Sequence, residues 1–333
     1  MKKVGLVMRK IQFAEAQGPR VYADRLKQIG RELGVDIVFI SPERHVSDFD
    51  QAPGYEYEKG DLANYDIVLD KLAKERIEHI IYTVSGFTFL RMFFDKCVLF
   101  PHSYPHRDLT GYEMMKPFYT PDLIDQAIVH TEYLRQRFAL DYGVTNVDVI
   151  PIGFETELAK QYYNPDEVVH NRILWIGRDE PNRRPHTPIE YARQNPDKEV
   201  VMVFGGLRYR ESIKKYDIPN NVRTMFALSR EEIFKLMNSS KVYWNSSVFD
   251  TFAMPLSEAM AMGKLIVRSE NRCYSHISSR HTFAGDEHNW FELVNMAAAS
   301  PHRVSEENRE YAFSHFSYDV MKRGYLQFFE KWL

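Results

Sequence analysis

Two carboxylates eight residues apart, Asp250 and Glu258, are the strongest chemical feature of the sequence. They flank an apolar, proline-containing stretch that follows a predicted strand over residues 241–244 and precedes a helical pattern over residues 258–262. Ser257 fits the cap at the start of that helix, which places Glu258 in its first turn. Backbone N–H groups at a helix start lack intrahelical partners and favour a phosphate. A carboxylate there can accept two hydrogen bonds from a vicinal diol such as that of a ribose, or it can simply complement the dipole of its own helix.

A group of arginines follows another predicted strand, residues 172–176. This strand ends at Gly177, and the cations Arg178, Arg183 and Arg184 come directly after it. Cations at the tip of a parallel strand suit a pyrophosphate. These residues alone leave a solvated basic loop open as the alternative.

A histidine lies at the end of a third predicted strand. His102 is two residues beyond the strand at 96–100. Loop histidines are often structural or solvated, but the position at a strand end favours a functional role for His102. His106 is the second choice.

The elements that must position these residues form two similar series in which short β-branched runs alternate with helical patterns. Such runs indicate parallel strands that are buried on both faces. The first series predicts strands over residues 4–8, 36–40, 77–82, 96–100, 127–130 and 147–150. The second predicts strands over residues 172–176, 199–204, 222–226, 241–244 and 265–268.

This alternation predicts an α/β fold of two Rossmann-like domains with parallel sheets facing a central cleft. Ligands of such folds bind outside the carboxyl ends of the strands, where the residues above are found. The tripeptide Pro151-Ile152-Gly153 is the expected hinge. We expect domains over residues 1–152 and 153–310, and a helical tail over 311–333 that is a candidate to pack back on the first domain.

These motifs give the second half a resemblance to the donor domain of retaining GT-B glycosyltransferases, specifically glycosyltransferase family 4. That family has a strand ending in Gly-Arg, a basic residue soon after, and a Glu-x7-Glu element that runs into Glu-Ala-Met-Ala-x-Gly. The corresponding residues here are Gly177-Arg178, Arg183 or Arg184, Asp250 and Glu258-Ala259-Met260-Ala261-x-Gly263. The match is specific over residues 172–267. In the first half, Gly18-Pro19-Arg20 resembles the family's glycine loop and residues 130–155 resemble its approach to the inter-domain linker.

The resemblance implies a role for each matching residue. Arg178 and one of Arg183 or Arg184 would neutralise the donor diphosphate, and Glu258 would bind the ribose hydroxyls. Asp250, in the place of the first Glu, would touch the transferred sugar, and so would His102; with Arg178 these two are the catalytic candidates. The further donor-binding residues that the resemblance implies are Gly18, Phe252, Ala253, Met254 and Pro255.

Two positions depart from the family pattern. Asp250 is one methylene shorter than the usual Glu, and Ala253 stands where the family often has Gly. These departures point either to a different donor sugar or to weakened catalysis.

The implied activity is retaining, metal-independent transfer of a sugar from a nucleotide diphosphate sugar, with a UDP-sugar as the default donor. The acceptor would be a hydroxyl of a glycan, glycolipid or small molecule, bound by the first domain, while the second domain binds the donor. No cofactor is expected. Two alternatives stay open: a nucleotide-sugar epimerase on the same fold, and a catalytically silent subunit that binds nucleotide sugars.

Composition narrows the partners and the setting. The 333 residues carry 43 Lys and Arg against 46 Asp and Glu, and a net charge of −3 gives no global reason to bind nucleic acid. Cys97 and Cys273 lie far apart without metal-ligand spacing, which favours a reduced, cytoplasmic setting. No stretch has the roughly 20 apolar residues that a transmembrane helix needs. The apolar cluster 87–94 is expected in a core or acceptor cleft, with peripheral membrane contact as the alternative, and Asp48-Phe49-Asp50 is expected to be a polar loop rather than a metal site.

Overall fold

The chain divides into two compact units in the computed structural model, which describes residues 2–8, 18–40, 65–83, 90–94, 96–100, 120–124 and 126–333. The first unit comprises Met1–Pro151 together with Met321–Leu333, and the second comprises Ile152–Val320. The tripeptide predicted as a hinge therefore spans the boundary between the units.

The first unit contains a parallel sheet of six strands, β1 Lys2–Val7, β2 Val35–Ile40, β3 His79–Tyr82, β4 Lys96–Leu99, β5 Ala127–Val129 and β6 Val147–Val149. Their order in the sheet is β2–β1–β3–β4–β5–β6. The central strands β3, β4 and β5 are almost completely buried, as continuous β-branched runs predict, whereas the edge strand β6 is half-buried. The described helices that accompany them are α1 Gly18–Glu32, α2 Tyr65–Glu75 and α3 Glu132–Tyr142.

Helix α3 illustrates how local sequence sets the element bounds in this unit. The Thr131 side chain accepts a hydrogen bond from the Leu134 N–H at 3.2 Å, which satisfies one of the donors at the helix start. Gly143 ends the helix with φ 72°, a left-handed conformation that glycine adopts without steric cost.

An aromatic cluster packs beneath the end of β4. The Tyr22 ring stacks on Phe100 with 4.0 Å between ring centroids, and the edge of His130 contacts Phe100 at 4.6 Å. The Tyr22 and Tyr325 hydroxyls are hydrogen-bonded to each other, and burial raises the pKa of Tyr22. This packing fixes the strand end that precedes His102, although His102 and His106 themselves lie outside the described residues.

The second unit contains a second parallel sheet, with strands β7 Val169–Gly177, β8 Glu199–Phe204, β9 Val222–Phe226, β10 Ser240–Asn245, β11 Leu265–Ser269 and β12 Thr282–Gly285. Their order in the sheet is β12–β11–β10–β7–β8–β9. The first five were predicted from the sequence and are present. Strand β12 was not predicted, because this partly exposed edge strand lacks the continuous apolar run of a buried one.

Aromatic side chains fill the core of the second unit. Trp244 meets Tyr191 and Trp290 edge-on, at centroid distances of 5.6 and 6.4 Å. The helices are α4 Thr156–Gln161, α5 His186–Gln194, α6 Tyr209–Ser212, α7 Arg230–Ser239, α8 Met254–Ala261, α9 Trp290–Ala299, α10 Glu306–Phe316 and α11 Tyr318–Trp332, the last of which continues into the first unit. In the part of the chain that the structure describes, no helix combines the length and the apolarity that a membrane crossing requires.

Helix α8 begins earlier than the sequence analysis predicted. Ala253 occupies the cap position, and Pro255 lies in the first turn. Ser257 is not the cap, because its hydroxyl donates to the Met254 carbonyl at 2.9 Å inside the helix. A proline is tolerated in the first turn of a helix, because an N–H at that position would have no intrahelical partner. Pro255 is therefore part of the helix and not of the loop before it. Glu258 consequently lies in the second turn.

A lysine is buried at the start of β11. The Lys264 side chain is inaccessible to solvent, and its Nζ donates to the Asn238 carbonyl at 2.9 Å. Burial lowers the pKa of Lys264 to about 7, because the ammonium form loses its hydration.

Burial of Lys264 makes the stability of the second unit depend on pH. Between pH 7 and 9.5 the unfolded lysine keeps a proton that the folded one has lost, so the free energy of unfolding should rise with pH. Lys264 should contribute up to about 1.4 kcal/mol per pH unit to this rise, and Lys264→Met should lose that contribution. Urea unfolding followed by tryptophan fluorescence measures it. The exposed Lys160→Met should keep the wild-type slope, and an unchanged slope in Lys264→Met would contradict this account.

Candidate functional site

The carboxyl ends of β7 and β10 lie side by side in the second sheet. The two strands are parallel neighbours, with Ile173 opposite Val242 and Leu174 opposite Tyr243. The segments that follow them, residues 178–185 (the β7 loop) and residues 246–253 (the β10 loop), therefore emerge at the same edge. The β7 loop carries the candidate arginines Arg178, Arg183 and Arg184, and the β10 loop carries Asp250.

Hydrogen bonds join the two loops to each other and to the core below. The Trp175 indole N–H donates to the Ser246 hydroxyl at 2.9 Å, and that hydroxyl donates to the Arg183 carbonyl at 2.8 Å. The Val248 N–H donates to the Asn182 carbonyl at 3.0 Å. Because Trp175 and Ser246 are buried, these bonds fix the backbone on which the charged side chains stand.

An ion pair between Arg183 and Asp250 spans the two loops. The Asp250 carboxylate also accepts the Thr251 N–H at 2.9 Å, and Arg183 Nη1 lies 3.3 Å from the Ser247 hydroxyl. Burial works to raise the pKa of Asp250, but the charge and hydrogen bond of Arg183 outweigh it and hold that pKa below its usual value. Asp250 is therefore ionised, and Arg183 is its counter-ion.

The other two arginines of the β7 loop differ in their surroundings. Arg184 has φ 49°, pairs with Glu287 and lies over the Trp290 ring at 5.8 Å. Arg178 is about half exposed, pairs with Glu180 at 3.1 Å, and its charge contributes to the low pKa of Asp250. Arg178 and Arg183 thus lie toward Asp250, whereas Arg184 is engaged by α9 and the turn before it. Between the two arginines that the sequence left open, Arg183 is the one that pairs with Asp250.

Glu258 is bound by an arginine from a neighbouring helix. Only 1 % of its side chain is exposed, and Arg230 Nη2 donates to its Oε1. Arg230 also donates to both carboxylate oxygens of Glu155, at 3.0 and 2.6 Å. Burial works to lower the pKa of Arg230, but the two carboxylates outweigh it and raise that pKa. In the second turn of α8 and bonded to another helix, Glu258 does more than complement its own helix dipole.

Arg230 and Glu155 were not identified in the sequence analysis. One signal was available, because Arg230 is the first residue of α7, where a cation opposes the helix dipole. A cation in that position implies a carboxylate partner nearby. Which carboxylate it is could not be read from the sequence, since Glu155 and Glu258 come from distant parts of the chain.

The apolar stretch between Asp250 and Glu258 is packed rather than open. The Phe252 ring stacks on His276 at a centroid distance of 5.2 Å and meets Phe316 edge-on at 5.7 Å. The Met254 N–H donates to the Phe252 carbonyl at 3.0 Å, and Pro255 has no N–H to offer. The donor-binding role of the backbone at Phe252, Ala253, Met254 and Pro255 stays a prediction.

The remaining candidates belong to the first unit or to the question of metals. Gly18 opens α1, and its role in donor binding stays a prediction. Among the described residues, no group of three or more His, Cys, Asp or Glu side chains is arranged to hold a metal ion. Asp48 and Asp50 lie outside those residues.

A family model supports the resemblance in the second unit. Residues 164–296 match the family described as glycosyl transferases group 1. The match contains β7, the β7 loop, α7, the β10 loop and α8, and so includes every charged residue of the site except Glu155. No curated protein sequence is similar enough to count as a match.

Solved structures share the fold along nearly the whole chain. Sucrose-phosphate synthase from Thermosynechococcus elongatus superposes with a TM-score of 0.81 at 15% identity, covering 99% of both chains. HepE from Anabaena, solved in complex with UDP-glucose, gives 0.75 at 13% identity, covering 99% of this chain and 100% of its own. An alpha,alpha-trehalose-phosphate synthase (UDP-forming) from Burkholderia vietnamiensis gives 0.69 at 13% identity with the same coverage. The predicted GT-B fold of two Rossmann-like domains is confirmed.

Loss of the Asp250 charge should destabilise the second unit. Asp250→Asn keeps the side-chain volume but leaves the mostly buried Arg183 without its counter-ion, which should cost on the order of 3 kcal/mol. Glu287→Gln breaks the more exposed pair with Arg184 and should cost less than about 1 kcal/mol. Equilibrium unfolding monitored by tryptophan fluorescence compares them. Equal costs for the two variants would show that the Arg183–Asp250 pair carries no special share of the stability.

Proposed function

We propose that this chain, whose second unit matches the glycosyl transferases group 1 family, is a retaining glycosyltransferase that acts without a metal. It transfers a sugar from a nucleotide diphosphate sugar to a hydroxyl of a carbohydrate or other acceptor. One observation carries the proposal: the segment that matches the family contains Arg178, the Arg183–Asp250 ion pair and, in the helix that follows Asp250, the buried carboxylate of Glu258.

The donor that we propose is a UDP-sugar. HepE was solved with UDP-glucose and also with UDP and glucose, and the trehalose-phosphate synthase is named as UDP-forming. Starch synthase IV from Arabidopsis thaliana was solved with ADP and acarbose, so related folds also take an adenine nucleotide. UDP-glucose is therefore the first donor to test and ADP-glucose the second.

The arginines would bind and activate the donor diphosphate. A guanidinium group has five N–H donors, and Arg183 meets Asp250 and Ser247 through Nη1, so it can keep its counter-ion and still bind a phosphate. Negative charge grows on the diphosphate as the bond to the sugar breaks. Fixed cations lower the barrier because they are already oriented toward that charge.

Asp250 is the proposed contact to the transferred sugar. Its carboxylate is ionised and held beside Arg183, so a sugar hydroxyl that it accepts would lie next to the diphosphate. This arrangement ties the position of the sugar to that of the leaving group. The shorter Asp side chain keeps the carboxylate close to the loop, which favours a sugar bound near the backbone.

Retention follows if the acceptor attacks the same face of the sugar that the diphosphate leaves. The acceptor oxygen bonds to the anomeric carbon, the bond from that carbon to the phosphate oxygen breaks, and the departing phosphate takes the acceptor proton. The transition state resembles an oxocarbenium ion, as in glycoside hydrolysis, and no protein nucleophile is needed. We assign the acceptor and His102 to the first unit, as the family resemblance implies.

Arg183 and Arg184 should differ in their effect on nucleotide binding. Arg183→Lys should weaken UDP binding roughly ten- to a hundred-fold, because charge-assisted hydrogen bonds to the diphosphate are lost. Arg184→Lys should change the affinity by less than about three-fold. Isothermal titration calorimetry with UDP measures both, and uridine, which lacks phosphates, should bind both variants as it binds the wild type. A larger loss in Arg184→Lys would reverse the assignment.

Transfer should persist in excess EDTA, because the charge of the leaving group is assigned to arginines. The assay incubates the protein with UDP-glucose and a panel of sugar acceptors, measures UDP release, and determines the anomeric configuration of the product by NMR. We expect UDP release in EDTA and a product with the configuration of the donor.

A different experimental result would contradict each part of the proposal. Activity that is lost in EDTA and restored by magnesium or manganese would overturn metal independence, and an inverted product would overturn retention. Binding of nucleotide sugars without release of any nucleotide diphosphate would favour the silent subunit, which the departures at Asp250 and Ala253 keep as the second candidate.

A further inference from the structure

Three charged side chains from three separate elements meet beneath the proposed donor site. Glu155 precedes α4, Arg230 is the first residue of α7, and Glu258 lies in α8. Arg230 makes a bidentate ion pair with Glu155, and its Nη2 also donates to Glu258. We call these residues the Arg230 triad.

Stability of α7 alone does not explain an arginine at this position. A cation at a helix start opposes the dipole, and the Arg230 side chain is only 21% exposed, so it loses much of its hydration. The helix already has a complete capping box formed by Ser229 and Glu232. The position of Arg230 is therefore explained by its ion pairs with Glu155 and Glu258 and not by the stability of α7.

Arg230 restricts the orientation of the Glu258 carboxylate. The guanidinium is planar, and the two bonds to Glu155 together with the Phe234 ring, 5.4 Å from its carbon, fix that plane. Oε1 of Glu258 is bonded to the fixed guanidinium. A carboxylate has about four acceptor positions over its two oxygens, and the bond to Arg230 occupies one of them.

We propose that Arg230 is a positioning residue for ribose recognition. It aims the Glu258 carboxylate so that this carboxylate accepts both hydroxyls of a vicinal diol. The inference rests on the proposed function, in which Glu258 binds the ribose of the donor. It adds that selection of ribonucleotides depends on a residue that does not itself touch the nucleotide.

The experiment compares two nucleotides that differ only in the diol. Calorimetric titrations with UDP and with 2′,3′-dideoxy-UDP give the ratio of the two dissociation constants for each protein. Wild type should prefer UDP. Arg230→Met should lose roughly ten-fold in UDP affinity while dideoxy-UDP binding changes by less than about two-fold, because only the diol contact depends on the carboxylate orientation.

Arg172→Met is the matched control. Arg172 has a similarly low exposure of 18%, pairs with Glu199 at 2.9 Å and donates to Ser239 at 2.8 Å. Arg172 lies in the first half of β7, whereas the β7 loop of the site follows the other end of that strand. This variant should keep the wild-type ratio even if it lowers stability.

Arg230→Lys keeps the inference testable if Arg230→Met does not fold. Lysine retains the charge but cannot form the planar, bidentate contact, so the preference for UDP over dideoxy-UDP should fall while the fold persists. Equal weakening of both nucleotides, an unchanged ratio, or loss of the fold in both variants would overturn the inference and make Arg230 a structural residue. If wild type itself binds UDP and dideoxy-UDP equally, the ribose role of Glu258 in the proposed function fails instead.

Discussion

Burial of charge at one edge of a parallel sheet is the constraint on which the rest of the second unit depends. Asp250 and Glu258 are both largely removed from water, and a buried carboxylate remains ionised only when a partner compensates its lost hydration. Each has an arginine from another part of the chain, Arg183 for Asp250 and Arg230 for Glu258. The positions of these arginines in turn require the β7 loop and the start of α7 to be held accurately.

The hydrophobic core supplies that accuracy. Trp175 lies inside the sheet and donates its indole N–H to Ser246, which in turn bonds to the Arg183 backbone. A polar chain therefore runs from the core to the base of the charged loop, and the parallel pairing of β7 with β10 keeps its two ends in register. The same bonds that stabilise the unit thus set the geometry in which a diphosphate would be bound.

Much of this arrangement was predictable from sequence, and the exceptions have physical reasons. Continuous β-branched runs identified all but one of the described strands, since burial on both faces leaves a strong pattern; the edge strand β12 has no such pattern. The position of Pro255 suggests a loop, but Pro255 lies in the first turn of α8, where proline is accepted. The spacing of Asp250 and Glu258 predicted the candidate site. The pairing of Arg183 with Asp250 and the whole Arg230 triad depend on contacts between distant segments that local sequence does not encode.

A crystal structure of the chain with bound UDP tests the central claim most directly. We expect the diphosphate within hydrogen-bond distance of Arg178 and Arg183, and both ribose hydroxyls on the Glu258 carboxylate while Arg230 remains bonded to it. A nucleotide bound with its ribose away from Glu258 and its phosphates beyond the reach of Arg183 would contradict the proposed donor site.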